Sequence, residues 1–166
     1  MSTVLDASAL IGFLRDEPGA EAVQSFLSLP EACYVHALNL CEVYYDFWRA
    51  SAQVAAESAI SDLTALGVEE RNDMDSQFWR EVGRLKAVYR RVSLADCCAL
   101  ALASRLGARL VSADRHEFEP LLGAGICQIE LMYPKRAARA LIASPINRAR
   151  EASVFATMLR SAVFIS

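Results

Sequence analysis

Apolar positions along this chain follow two alternating rhythms. Short continuous runs rich in aliphatic and β-branched residues at 3–5, 33–35, Arg109–Ser112 and 126–131 read as strands, with 68–69 as a short edge strand. Between them, apolar residues recur at helical spacing over 9–14, 20–29, 39–66 and 75–90. In the last of these, Phe78, Val82, Leu85 and Tyr89 mark one face. The punctuation agrees, since Pro30 stops the second helix, Gly67 closes the long third stretch, and Gly123 and Gly125 mark a turn. The 39–66 stretch is either one helix or two meeting near 50–52.

Ser93 opens a further helix, with Asp96 three residues on in the manner of a capping box. Residues 97–103 are apolar all the way round, which predicts a buried central helix ended by Gly107. A short helix is expected at 117–122. Strands alternating with helices predict an α/β fold with a parallel sheet covered on both faces. Past Pro134 the spacing is helical again at 137–143 and 150–163. That divides the chain into a domain at 1–133 and a helical appendage at 134–166.

Composition adds compartment and charge. The chain has 166 residues, 54% of them hydrophobic, enough for one self-sufficient core. Five cysteines, odd in number and without metal-ligand spacing, read as reduced core thiols of a cytosolic protein. No apolar run is long enough to span a bilayer, and Asp6 interrupts the N-terminal apolar stretch where a signal peptide would need continuity. Charge is unevenly spread. Residues 1–133 carry 11 Lys/Arg against 19 Asp/Glu, whereas 134–166 carry six against Glu151 alone. An acidic body with a basic tail predicts an interaction segment, or a tail that folds back on its own body.

Four acids recur in matching places: Asp6 after the first strand, Glu42 and Asp96 in first helical turns, and Asp114 after the strand ending at Ser112. In a parallel sheet the carboxyl ends of all strands share one edge, so the four would converge on one cleft. Each also has a plainer reading. Asp6 and Asp96 are good helix caps, Glu42 shares a polar stripe with Asn39, Asp46 and Arg49, and Asp114 suits a turn. Acids packed together repel unless a cation lies among them, and hard oxygen ligands without His or Cys select Mg²⁺ or Mn²⁺. Neither His36 nor His116 is expected to be a ligand.

The segments Val4-Leu5-Asp6-Ala7-Ser8-Ala9, Asn39-Leu40-Cys41-Glu42-Val43, Ser93 to Ala101 and Leu110 to Phe118 together resemble the PIN-domain family, specifically VapC-type ribonuclease toxins. The resemblance covers residues 1 to about 132. It implies a three-layer α/β/α fold with about five parallel strands and a Mg²⁺- or Mn²⁺-dependent endoribonuclease that uses metal-activated water. It assigns Asp6, Glu42, Asp96 and Asp114 as catalytic metal ligands, with Ser8, Asn39, Ser112 and Glu117 supporting them. It also implies a cognate antitoxin and a homodimer, for which the apolar helices between 9 and 66 are the expected interface. Arg80, Arg84 and Arg115 are candidate RNA contacts, and the basic tail would add others. Two other readings stand beside this one. One is a PIN-fold binding module for RNA or protein without catalysis. The other is a haloacid-dehalogenase-type phosphatase, which would want a second Asp where Ser8 stands.

Overall fold

The computed structural model describes residues 1–132, and the appendage expected at 134–166 lies outside them. Five parallel strands form one sheet in the order β3-β2-β1-β4-β5: β1 (Thr3–Leu5), β2 (Cys33–His36), β3 (Val68–Arg71), β4 (Arg109–Ser112) and β5 (Gln128–Leu131). β1 is fully buried between β2 and β4, which is why it is apolar without alternation. The chain builds outward from β1 through β2 to β3, then returns to the other side of β1 to build β4 and β5. The strand order therefore reverses between β1 and β4. The crevice beyond their carboxyl ends is where open α/β sheets bind ligands.

Helices fill the two outer layers. α1 (Ala7–Leu14), α2 (Ala20–Leu27), α3 (Ala37–Ser51) and α4 (Gln53–Ala65) pack on one another, while α5 (Ser76–Val88) pairs with α6 (Leu94–Leu106). The stretch at 39–66 is thus two helices, broken at Ala52, whose φ of 76° no continuous helix permits. α6 is buried along Ala95–Ala103 and joins Val4, Phe78, Leu85, Leu110 and Phe118 in the main core. Among the described residues, no helix is long and apolar enough to cross a membrane.

Two local expectations shift. The short helix α7 spans Arg115–Phe118, earlier than 117–122, because Asp114 itself caps it by accepting the Glu117 N–H at 3.0 Å. β5 starts at Gln128 because the turn holding Gly123 and Gly125, both at positive φ, runs through Cys127. All five cysteines are free thiols, but only Cys33, Cys97 and Cys98 are buried; Cys41 is exposed and Cys127 half-buried, so the core reading fails for those two.

Candidate active site

Asp6 follows the last residue of β1 and is completely buried. It meets both of its sequence readings. Its Oδ1 caps α1 by accepting the Ala9 N–H at 2.8 Å, and its carboxyl faces the other acids at the reversal point. The Ser8 hydroxyl lies 2.9 Å from Oδ1 and 3.1 Å from Oδ2, and the Ser112 hydroxyl adds a further hydrogen bond. Ser8 does more than support Asp6. Its Oγ also accepts the N–H groups of Ala113 (2.9 Å) and Asp114 (3.1 Å), tying the β4–α7 turn to the start of α1. Ser112 Oγ accepts the Asp114 N–H at 2.9 Å and sits 3.2 Å from Ser8 Oγ. Asp114 is thereby fixed beside Asp6 across the β1–β4 crevice.

Asp96 lies in the first turn of α6 and is 8% exposed. Its Oδ2 accepts the Ser93 hydroxyl at 2.7 Å, while Ser93 Oγ accepts the Asp96 N–H at 3.0 Å. The Asp96 carboxyl also shares a hydrogen bond with Glu117, a pairing that needs one proton between two acids. Glu42, half-buried on α3, faces Glu117. One turn before it, Asn39 is fully buried, and among the described residues neither its amide nitrogen nor its amide oxygen has a partner. The polar stripe of α3 is thus not a solvated face at its N-terminal end.

Five carboxylates from four elements therefore share one environment, and the electrostatics record it. Burial is the main cause that pushes the Asp6 carboxyl up to about 6, with the charge of Asp114 adding to it. Burial again leads at Asp96, raised to about 8, followed by the charge of Asp6 and the hydrogen bond with Glu117. Glu42 is raised by burial and then by Glu117. Among the described residues, no lysine or arginine is a main influence on Asp6, Glu42 or Asp96. Among the described residues, no three His, Cys, Asp or Glu side chains are already drawn around one point as a metal cage. The donor chemistry nonetheless fits a hard divalent cation. Every acid is an oxygen donor, the acids oppose one another's charge, and the buried Asn39 amide has no partner among the described residues.

Of the candidate RNA-binding arginines, Arg80 and Arg84 lie on α5, and Arg115 opens α7 directly after Asp114. Arg80 stacks over Trp79 at 5.1 Å, Arg84 grips Glu81 through two bonds of 2.8 and 2.6 Å, and Arg115 stands 3.6 Å from Glu119. His116 is exposed, and His36 is buried away as the cap of α3, its Nδ1 accepting the Leu38 N–H. Sequence reasoning gave Ser93 only a capping role and Glu117 only a supporting one. Their spacings to Asp96 and Asp114 were the available signals.

With this geometry in view, the comparisons decide the lineage. The PIN domain family model matches residues 3–120. The chain belongs to the PIN domain family. A toxin–antitoxin complex from Klebsiella pneumoniae is similar in structure, at 18% identity and TM-score 0.59, covering 79% of this chain and 98% of that one. VapBC-1 from nontypeable Haemophilus influenzae gives 21% identity and TM-score 0.60, covering 80% and 98%. Mycobacterium tuberculosis VapC20, a toxin that cleaves the sarcin–ricin loop, gives 15% identity and TM-score 0.59, covering 71% and 94%. No curated protein matches this sequence. At these identities the structures establish a shared PIN fold. The PIN assignment also removes the phosphatase reading, in keeping with Ser8 at the position where that chemistry would want an acid.

Proposed function

We propose that this PIN domain is a Mg²⁺- or Mn²⁺-dependent endoribonuclease of the cytoplasm, acting as the toxin of a toxin–antitoxin pair. The observation that carries the proposal is the convergence of Asp6, Glu42, Asp96, Asp114 and Glu117 on the reversal point of the sheet, with Asp6 and Asp96 raised by burial and by neighbouring acids. Asp6, Glu42, Asp96 and Asp114 would hold the cation. Ser8 and Ser112 keep the Asp6 carboxyl and the Asp114 turn in register, and Asn39, one helical turn before Glu42, would support that acid. When bound, the cation supplies a water of lowered pKa and offsets charge growing on the phosphoryl oxygens. A cleft acid not holding the cation would accept the proton of the attacking water, and the 3′ oxygen would take a proton from solvent as its bond to phosphorus breaks. Attack opposite the 3′ oxygen leaves 5′-phosphate and 3′-hydroxyl ends.

Toxin–antitoxin neighbours of the same fold support an antitoxin as the protein partner; on our reading it covers the acids and presents a basic side chain to them. A homodimer through the helices at 9–66 accords with the exposed Tyr45, Trp48 and Val54 on α3 and α4. The test is cleavage of a structured RNA with Mg²⁺ or Mn²⁺, followed by chemical identification of the ends. Cleavage that excess chelator abolishes, leaving 5′-phosphates, supports the proposal. Undiminished cleavage in chelator, or RNA binding without cleavage in either metal, overturns it, and the latter outcome favours the non-catalytic module.

A further inference from the structure

The N-terminus of α6 departs from an ordinary capping box in one bond. In that motif the cap's hydroxyl takes the N–H of the third helical residue, and the third residue's side chain reaches back to the N–H of the cap. Ser93 and Asp96 have the right spacing, and the first half is present, with the Asp96 N–H on Ser93 Oγ at 3.0 Å. The second half is not made by Asp96. The Ser93 N–H instead goes to Glu117 Oε2 at 2.7 Å, from a residue 24 positions further along the chain. Glu117 is itself anchored, since its N–H is held by Asp114 Oδ1 at 3.0 Å.

We propose that Glu117 is a positioning residue that completes the cap of α6 in place of Asp96, releasing the Asp96 carboxyl to face the acid cleft. The inference rests on the metal-site reading above and specifies how one of its ligands is aimed. Without Glu117, the Ser93 N–H is an orphan donor at a helix start, and Asp96, three residues on, is the nearest acid able to satisfy it. Taking that bond would turn Asp96 away from Asp6. The arrangement also couples two elements, because the Asp114–Glu117–Ser93–Asp96 chain of bonds joins the starts of α7 and α6.

The experiment is Mn²⁺ affinity of the full chain, measured by electron paramagnetic resonance of free Mn²⁺, with melting temperature recorded for each variant. Glu117→Gln keeps an oxygen for the Ser93 N–H and an amide N–H for Asp96, so its affinity should stay within about threefold of wild type. Glu117→Ala should lose roughly tenfold or more, the scale of loss expected when a ligand's supporting group is removed. Glu117→Asp keeps the charge but falls a methylene short, so it should behave like alanine and serves if alanine unfolds. Equal loss in the Gln and Ala variants would show that Glu117 acts by its charge, overturning the inference. Unchanged affinity in both Ala and Asp would overturn it as well. Wild-type protein that binds no Mn²⁺ fails differently, since it removes the metal-site reading itself.

Discussion

Two clusters of acids in this small domain differ in kind. One is the cleft of Asp6, Glu42, Asp96, Asp114 and Glu117. The other is a knot beside β3 and the start of α5, where Arg71 grips Asp73 with bonds of 2.9 and 3.1 Å. Arg105 reaches Asp73 at 2.8 Å and Asp75 at 2.6 and 3.0 Å, and stacks over Phe78 at 4.9 Å. In the knot the arginines win. Arg105 holds Asp75 well below the usual carboxylate range, and at Asp73 Arg71 and Arg105 together outweigh the opposing effect of burial. In the cleft burial wins, and Asp6 and Asp96 rise to about 6 and about 8. Carboxylates with in-built partners hold a fold together, whereas buried carboxylates without them call for a ligand.

Substitutions should separate the two clusters. The largest effect is expected from Asp6→Asn, which should lower RNA cleavage at least about a hundredfold, since removing even an outer-shell partner of a metal ligand costs 10–100-fold. Its metal-free melting temperature should stay level or rise, because Asn keeps an acceptor for the Ala9 N–H and removes a buried charge. Circular dichroism melts beside a cleavage assay check both halves. Arg105→Ala should do the reverse. It leaves Asp73 and Asp75 short of a partner and uncovers Phe78, so the melting temperature should fall by a few degrees while the cleavage rate per folded molecule is unchanged. A smaller effect is expected from Asn39→Leu. It replaces a buried amide that has no partner with an apolar side chain of similar size, stabilising the metal-free protein by about 1 kcal/mol by urea unfolding while weakening Mn²⁺ binding.

The sequence reached some of these features and not others for identifiable reasons. The strand and helix rhythm was readable because parallel strands such as Thr3–Leu5 are apolar without alternation and helices such as α5 bury one stripe. The convergence of four acids followed from topology, since strand ends and the following helix starts share an edge. The roles of Ser93 and Glu117 depended on a bond between positions 24 apart, which no local spacing encodes. The solvated-face alternative for Glu42 stayed open because a stripe pattern shows polarity but not depth, and Asn39 on that stripe is fully buried. The pairing of Arg80 with Trp79 and of Arg84 with Glu81 was not legible, because it depends on side-chain placement.

The cleft acids are expected to take up a divalent cation, and melting temperature against pH with and without Mg²⁺ tests this most directly. The folded carboxyls of Asp6 and Asp96 hold protons more tightly than their ordinary value of 3.8, so they favour the fold at low pH, and that contribution is lost as pH rises toward 8. The knot acts with opposite sign: the lowered Asp73 and Asp75 contribute stability above 3.8 that disappears as pH falls through their folded values. Mg²⁺ must displace the bound protons, so its stabilisation should be small at pH 5 and grow to several degrees by pH 8, equivalent to about 2.7 kcal/mol when the cation is at a hundred times its Kd. Asp96→Asn should flatten that growth. A Mg²⁺ effect that is absent, independent of pH, or undiminished in Asp96→Asn would contradict the account.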